Sequence, residues 1–165
     1  MRILTGVMVG ILIGIGLTRA LTPVSAQEAR IAGVRGVNHV GLSVDNFEES
    51  VAFYTQKLGF PEVYRFKNDQ GQTTIAFVQA GPNTFLEIAP SNANRPVGLT
   101  HFGVQVDNME TTIGALKDRG VTATAPREVA PQWSVSSVTG PGARVELTAL
   151  GSQSVLETAT AGWRK

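Results

Sequence analysis

The chain has 165 residues, enough for one domain or for two small modules sharing a core. Its formal charge is +1, with 14 scattered lysines and arginines against 13 acids, so nothing indicates a nucleic-acid partner or a basic membrane patch. Cysteine is absent, which excludes disulfides, a lipoprotein anchor and a thiolate metal site.

Met1-Arg2 is a short positive start, Ile3 to Leu17 is an uncharged apolar run, and Val24-Ser25-Ala26 has the small-x-small pattern of a signal-peptidase site. This predicts a secretory signal over residues 1–26, cleaved after Ala26. The product would be periplasmic or secreted, with no stable membrane anchor after cleavage. A retained anchor fits less well, because the run falls short of the roughly 20 residues a span needs and Arg19 interrupts its extension. Cleavage removes Arg2 and Arg19 and no acid, which carries the formal charge from +1 to −1. An exported domain without disulfides is held by its core, by a metal or by a partner subunit.

Residues 27–36 read as a leader, and 37–150 as the folded domain. Val37 to Val44 alternate: Val40, Leu42 and Val44 share one face, and His39, Gly41 and Ser43 the other, as in a strand with one apolar face. Asp45 and Glu48 form a capping box. The helix it opens runs to about Leu58, with Phe47, Val51, Tyr54 and Leu58 in one stripe and Gly59 as its C-terminal stop. Strands follow over Glu62–Lys67, Gln72–Gln79 and Thr84–Ala89, with turns at Asn68-Asp69-Gln70-Gly71 and Gly81-Pro82-Asn83.

Residues 90–98 are a linker, after which the pattern restarts. Leu99 to Val106 is a strand, with His101, Gly103 and Gln105 on one face. Asp107 and Glu110 form a second capping box. The helix places Met109, Ile113 and Leu116 towards the core and ends at Gly120. Strands are predicted over Val121–Ala125, Trp133–Thr139 and Arg144–Leu150, with a tight turn at Gly140-Pro141-Gly142. Each half, 37–90 and 99–150, is β-α-β-β-β, an α+β arrangement. The tail, 151–165, is either a short helix or a disordered end.

The restart is a repeat in detail. Asn38-His39-Val40-Gly41-Leu42-Ser43-Val44-Asp45-Asn46-Phe47-Glu48 returns as Thr100-His101-Phe102-Gly103-Val104-Gln105-Val106-Asp107-Asn108-Met109-Glu110. His39 and His101 are the chain's two histidines. Matched carboxylates lie in the last strand of each half: Glu87 in Thr84-Phe85-Leu86-Glu87-Ile88 and Glu146 in Arg144-Val145-Glu146-Leu147-Thr148. Glutamate is disfavoured inside short apolar strands, and on the inner side of a sheet it needs a partner to offset desolvation. A divalent cation is the strongest such partner. Two imidazoles and two carboxylates are a donor set for Zn, Ni, Co, Mn or Fe, with two positions left open for vicinal oxygens of a substrate. Each residue alone is more simply a satisfied polar group; their duplication favours the shared site.

The runs His39-Val40-Gly41-Leu42-Ser43-Val44-Asp45 and Ser50-Val51-Ala52-Phe53-Tyr54-Thr55-Gln56-Lys57-Leu58-Gly59-Phe60 resemble the vicinal oxygen chelate superfamily, which includes glyoxalase I, methylmalonyl-CoA epimerase, extradiol dioxygenases and bleomycin resistance proteins. The resemblance spans about residues 36 to 150. It implies paired βαβββ modules that curl into a cupped mixed β-sheet around one divalent metal ion, with the helices outside. It places the family's metal positions on His39, Glu87, His101 and Glu146, in the glyoxalase I order. It also implies a lyase or isomerase acting on a small carbonyl compound through a metal-bound enediolate, with Glu146 or Glu87 as the catalytic base. Glyoxalase I carries a glutathione-binding arginine in its first strand; the matching position here is Ser43. Together with export, this points away from a glutathione substrate.

Ser43, Gln105, Arg144 and Trp133 are the candidate substrate-binding residues. Arg144 either holds an anionic group or pairs with Glu146, and Trp133 and Phe85 either line a pocket or belong to the core. Two other readings remain open: an Fe(II) extradiol-type dioxygenase, and a non-catalytic small-molecule binding or resistance protein. The expected partner is a small-molecule substrate. Pairing of modules within one chain or between two chains, giving a homodimer, is equally compatible with the sequence.

Overall fold

The computed structural model describes residues 30–163. The chain divides into two units, Met1–Arg30 and Ile31–Lys165, and every described strand and helix belongs to the second. The predicted signal segment lies outside the described residues. No helix among the described residues is long and apolar enough to cross a membrane.

Strands β1 (Val34–Val44), β2 (Glu62–Lys67), β3 (Thr73–Gly81), β4 (Thr84–Pro90), β5 (Gly98–Val106), β6 (Arg127–Ala130), β7 (Trp133–Val138) and β8 (Arg144–Leu150) form one mixed sheet ordered β2-β3-β4-β1-β5-β8-β7-β6. Helix α1 (Phe47–Ala52) continues into a π-helical turn (Phe53–Lys57); α2 (Met109–Lys117) and α3 (Val155–Trp163) complete the elements. β1 pairs with β4 in parallel and β5 with β8 in parallel, while β1 and β5 meet antiparallel at the seam. The two βαβββ modules are thus related by a pseudo-twofold axis through the seam, and they pair within one chain.

Helices α1 and α2 each cover the outer face of their own module. Val51 of α1 packs with Ala76, Val78 and Ile88. Met109 of α2 packs with Val106 and Leu147. The inner face has a separate core of Phe77, Phe85, Trp133, Val135 and Leu156. Phe66 of β2 and Trp133 of β7 lie 5.5 Å apart by ring centroid, so the outlying parts of the sheet fold towards each other. Leu156, fully buried, comes from α3. The tail therefore forms the short helix, and that helix closes one end of the inner face.

Several local expectations change. The N-caps are Asn46 and Asn108, one residue beyond the predicted aspartates. Asn108 has extended backbone angles, and its side chain accepts from Thr111 N at 2.8 Å. The aspartates are engaged elsewhere: Asp45 accepts from Ser91 Oγ, and Asp107 pairs with Arg35. Leu58 leaves the predicted stripe and is 48% exposed. The wider π turn, with Leu58 N donating to Phe53 O, sets the helical phase back and leaves Leu58 off the buried stripe. The strand predicted over 121–125 is only a bridge, Ala123 to Val138, and β6 begins at Arg127 instead. Thr124 hydrogen-bonds to Ser136 and Ser137 of β7, and the segment stops at Pro126, which has no N–H to continue a ladder.

Candidate metal centre

The four central strands carry the four candidate ligands in two cross-strand rows. Glu87, Gly41 and His101 stand opposite one another on β4, β1 and β5. His39, Gly103 and Glu146 stand opposite one another on β1, β5 and β8. The glycine in the middle of each row is what lets the histidine reach its glutamate. A Cβ at Gly41 would overlap the His101 ring, and one at Gly103 would overlap the His39 ring. Each imidazole lies across the bare backbone of the neighbouring strand. The His-x-Gly spacing of the repeat is a reciprocal fit: each module's glycine makes room for the other module's histidine.

The rings meet at the seam. His39 Nε2 and His101 Nε2 are 3.1 Å apart. His101 Nε2 is 3.5 Å from Glu87 Oε2, and His39 Nε2 is 3.6 Å from Glu146 Oε1 and 3.8 Å from Glu87 Oε2. One donor atom from each residue fits within 4.8 Å of all the others. Donors about 2.1 Å from a cation are about 3.0 Å apart along an octahedral edge and about 3.4 Å along a tetrahedral one. The spacing of 3.1 Å falls within this range and those of 3.5 to 3.8 Å are slightly wider, so the residues can close on a single divalent ion with small adjustments.

Both histidines are almost wholly buried, and both are held from behind. Asn38 Oδ1 accepts from His39 Nδ1 at 2.9 Å, and Thr100 Oγ1 pairs with His101 Nδ1 at 2.9 Å. These neighbours precede the histidines in sequence and in a regular strand would face the other side. Two β-bulges turn them inward: the seam register skips Asn38 between Val37 and His39, and Thr100 between Leu99 and His101. With Nδ1–H donated to Asn38, the Nε2 lone pair of neutral His39 points at the centre. Partners of this kind fix the tautomer and ring angle of a ligand. Asn38→Ala and Thr100→Ala are each expected to weaken zinc binding by about 10- to 100-fold with little change in helix and strand content. Competition against a chromogenic chelator measures this; unchanged affinity in both variants contradicts the assigned role.

Burial pulls His39 down to about 4, more strongly than Glu87 raises it; His101 and Arg144 add to the fall. His39 is therefore neutral at pH 7. Burial also opposes ionisation of Glu87, but His101, His39 and Arg144 together outweigh it and leave that carboxyl below its usual range. Glu146 moves up, through burial first and then the Glu87 charge. The folded metal-free protein binds fewer protons at His39 than the unfolded chain between about pH 4 and 6.5. Stability should then rise with pH across that window and be lost as pH falls from 6.5 to 4, by up to about 3 kcal/mol. Glu146 acts in the opposite sense above about pH 4.5, so the difference between wild type and His39→Gln isolates the histidine's share. Urea midpoints in chelator at pH 4.5 and 7 check this; the same pH slope in both proteins contradicts it.

A cavity of about 440 Å³ adjoins the centre, and Glu87, Glu146, Arg144 and Trp133 line it. Arg144 Nη1 is 3.6 Å from Glu146 Oε2 and donates to Ser137 Oγ at 3.1 Å. Trp133 both lines the cavity and belongs to the inner core, so its two sequence readings are both met. Phe85 is core alone. It occupies the position in row two that Arg144 occupies in row one, and this breaks the pseudo-symmetry. The end with Phe85 is closed by α3; the end with Arg144 is open.

Two predicted substrate residues do other work. Ser43 is buried and donates to the carbonyl of Arg95 at 3.0 Å. Gln105 is buried and donates to Glu157 Oε1 of α3, while its own oxygen accepts from Asn83. Neither lines the cavity. They sit at matched positions on the inner face and tie down, respectively, the linker and the closing helix. Sequence reading missed Arg95, Arg127 and Lys67, which line the cavity. They come from a linker and from the outermost strands, where no repeat pattern marks them.

Residues 38–136 match the sequence profile of the Glyoxalase/Bleomycin resistance protein/Dioxygenase superfamily. The chain belongs to this superfamily. No curated protein matches the sequence. Among solved structures, methylmalonyl-CoA epimerase from Mycobacterium tuberculosis is similar, with a TM-score of 0.63, 19% identity, and 74% of this chain and 92% of that one covered. A hypothetical protein from Bacillus halodurans gives 0.60, 21%, 72% and 96%. Streptomyces coelicolor methylmalonyl-CoA epimerase, solved with 2-nitronate-propionyl-CoA, gives 0.58, 16%, 70% and 94%. At these identities the likeness is one of fold. Members of the superfamily commonly use a divalent metal, and in this member the His39, Glu87, His101 and Glu146 cluster can hold one.

Proposed function

We propose that the protein is an exported, metal-dependent lyase or isomerase of glyoxalase I type, acting on a small carbonyl compound. The supporting observation is the convergence of four donor atoms beside a cavity of about 440 Å³. A divalent cation bound there would polarise a substrate carbonyl and make the adjacent C–H more acidic. The chain's own residues divide the remaining work. His39 and His101, pinned through Nδ1, present fixed lone pairs. Glu87, favoured as the anion, would help the two imidazoles hold the ion. Glu146, whose proton affinity is raised, accepts the α-proton and returns it to a neighbouring carbon. Arg144 orients the Glu146 carboxylate from the open end. Phe66, Phe77 and Trp133 keep water from the apolar part of the substrate.

Two carboxylates in reach of the histidine pair weigh against an iron dioxygenase, whose site keeps two histidines and one carboxylate. Export is part of the proposal, supported by the residue pattern of 1–26. The test is metal content of protein purified without added metal, followed by α-proton exchange of dihydroxyacetone in D2O, read by NMR. One divalent ion per chain and metal-dependent exchange are expected. Absence of any bound divalent ion removes the reading. Export is checked by the N-terminal sequence of protein from the extracytoplasmic fraction, which should begin at Gln27.

A further inference from the structure

The cavity wall is unevenly charged for so nearly neutral a protein. Four cationic residues line it: Lys67 at the end of β2, Arg95 in the linker, Arg127 at the start of β6, and Arg144 on β8. Two of them have duties within the protein. Arg95 donates through Nε and Nη2 to the Pro90 carbonyl. Arg144 reaches Ser137 and Glu146. The side chains of Lys67 and Arg127 have no hydrogen bond or ion pair among the described residues. The contrast with Arg65, two residues before Lys67 on β2, is informative. Arg65 is clasped by Glu48 and Glu62 through four hydrogen bonds and is spent as a structural pair. The one acid on the wall outside the metal quartet, Glu128, turns its Oε1 to the backbone N–H of Gln132.

The placement of these cations is also specific. Lys67 and Arg127 belong to the two outermost strands, whereas the metal-site residues belong to the four central ones. Between them lies the aromatic floor, with Trp133 centred 5.0 Å from Phe77 and 5.5 Å from Phe66. A cation bound by the quartet would add to the positive field rather than relieve it.

We infer that the cavity takes an anionic ligand: a small compound whose apolar or planar body rests on Phe66, Phe77 and Trp133 and whose carboxylate or phosphoryl oxygens are held by Lys67 and Arg127. This names the substrate class for the function proposed above, and rests on that reading only for which end of the molecule faces the quartet. Charge-assisted hydrogen bonds to a desolvated oxyanion supply the recognition, and the aromatic floor supplies the apolar contact. Arg95, held by Pro90 and, through its backbone, by Ser43, completes the positive rim.

The experiment is calorimetric titration of phenylphosphonate, benzoate and the neutral benzyl alcohol into chelator-treated and zinc-loaded protein. At least one anion is expected to bind 10-fold or more tightly than benzyl alcohol in both forms. The better anion identifies the oxygen group. Lys67→Ala and Arg127→Ala should each weaken that anion about 10-fold, and the double variant should fall to the level of benzyl alcohol. Zinc binding by both variants should stay at one ion per chain, and Lys117→Ala, a cation on α2, should change nothing. Equal binding of the neutral probe, or full anion affinity in the double variant, overturns the inference. Anion binding that disappears on chelation and ignores Lys67 and Arg127 also overturns it, because the anion would then be binding to zinc. The proposed chemistry fails separately: His39→Ala should lose zinc yet retain the anion, and anion binding without α-proton exchange would leave this inference standing.

Discussion

Glu146→Gln should abolish α-proton exchange while leaving a folded protein. The substitution keeps the side-chain volume and one oxygen, so the row His39–Gly103–Glu146 still packs. It removes the charge that a divalent ion requires and the only carboxylate of the pair whose proton affinity is raised. Loss of a general base costs about 10²- to 10⁴-fold in rate, and the lost ligand weakens metal binding in addition. The informative comparison is Glu87→Gln at saturating metal. Both variants lose affinity, but Glu87→Gln should regain exchange when metal is supplied in excess and Glu146→Gln should not. Metal titration followed by exchange NMR reads both effects. Equal recovery of the two variants would leave no distinct role for Glu146.

Among the described glycines, Gly103 should be the most damaging to replace with alanine. The added Cβ would lie 1.9 to 2.5 Å from three atoms of the His39 ring, and that ring is fully buried between β1 and β5, with Phe77 edge-on 6.0 Å away. The ring cannot turn aside without breaking its bond to Asn38 and entering the inner core. Ordinary overpacking costs about 1–3 kcal/mol, and a direct overlap at an immobile ring should reach or exceed the upper end. The expected fall in Tm is about 10 °C, with loss of the metal site. Gly114→Ala in α2 is the control of opposite sign. Nothing lies within 4 Å of its added Cβ, and alanine is favoured over glycine in a helix by up to about 1 kcal/mol. Thermal melts of the two variants beside wild type decide the matter; a Gly103→Ala protein with native Tm and native zinc affinity would mean that the seam is far more compliant than its packing implies.

These two variants also show which parts of the molecule were legible in the sequence. The quartet was legible because duplication writes the same residues twice: His39 with His101 and Glu87 with Glu146. The elements carrying them followed from alternation and capping signals. Asn38 and Thr100 were within the repeat but differ in type, and a bulge leaves no mark on a hydrophobic pattern that resumes its alternation one residue later. Ser43 and Gln105 lie on the expected face, but they bond to the linker and to α3 and do not line the cavity. A face of a strand is a period-two property, whereas whether it meets solvent depends on what lies above it: here the linker over Ser43 and α3 over Gln105. Lys67, Arg95 and Arg127 were invisible for a related reason. They come together through the curl of the sheet and a loop conformation, which are properties of the whole assembly.

The reciprocal fit at the seam has a kinetic side. Each module supplies one histidine and one carboxylate, so neither alone offers more than a two-donor, weakly binding fragment of the site. The complete set exists only when β1 and β5 are docked in one alignment. A slip of a single residue would swing a strand's inner side chains to the outer face. Tight cation uptake therefore cannot precede correct docking of the halves. During refolding, the appearance of a high-affinity zinc signal would mark the moment at which the two modules have found their alignment, later than helix formation and later than collapse of either half.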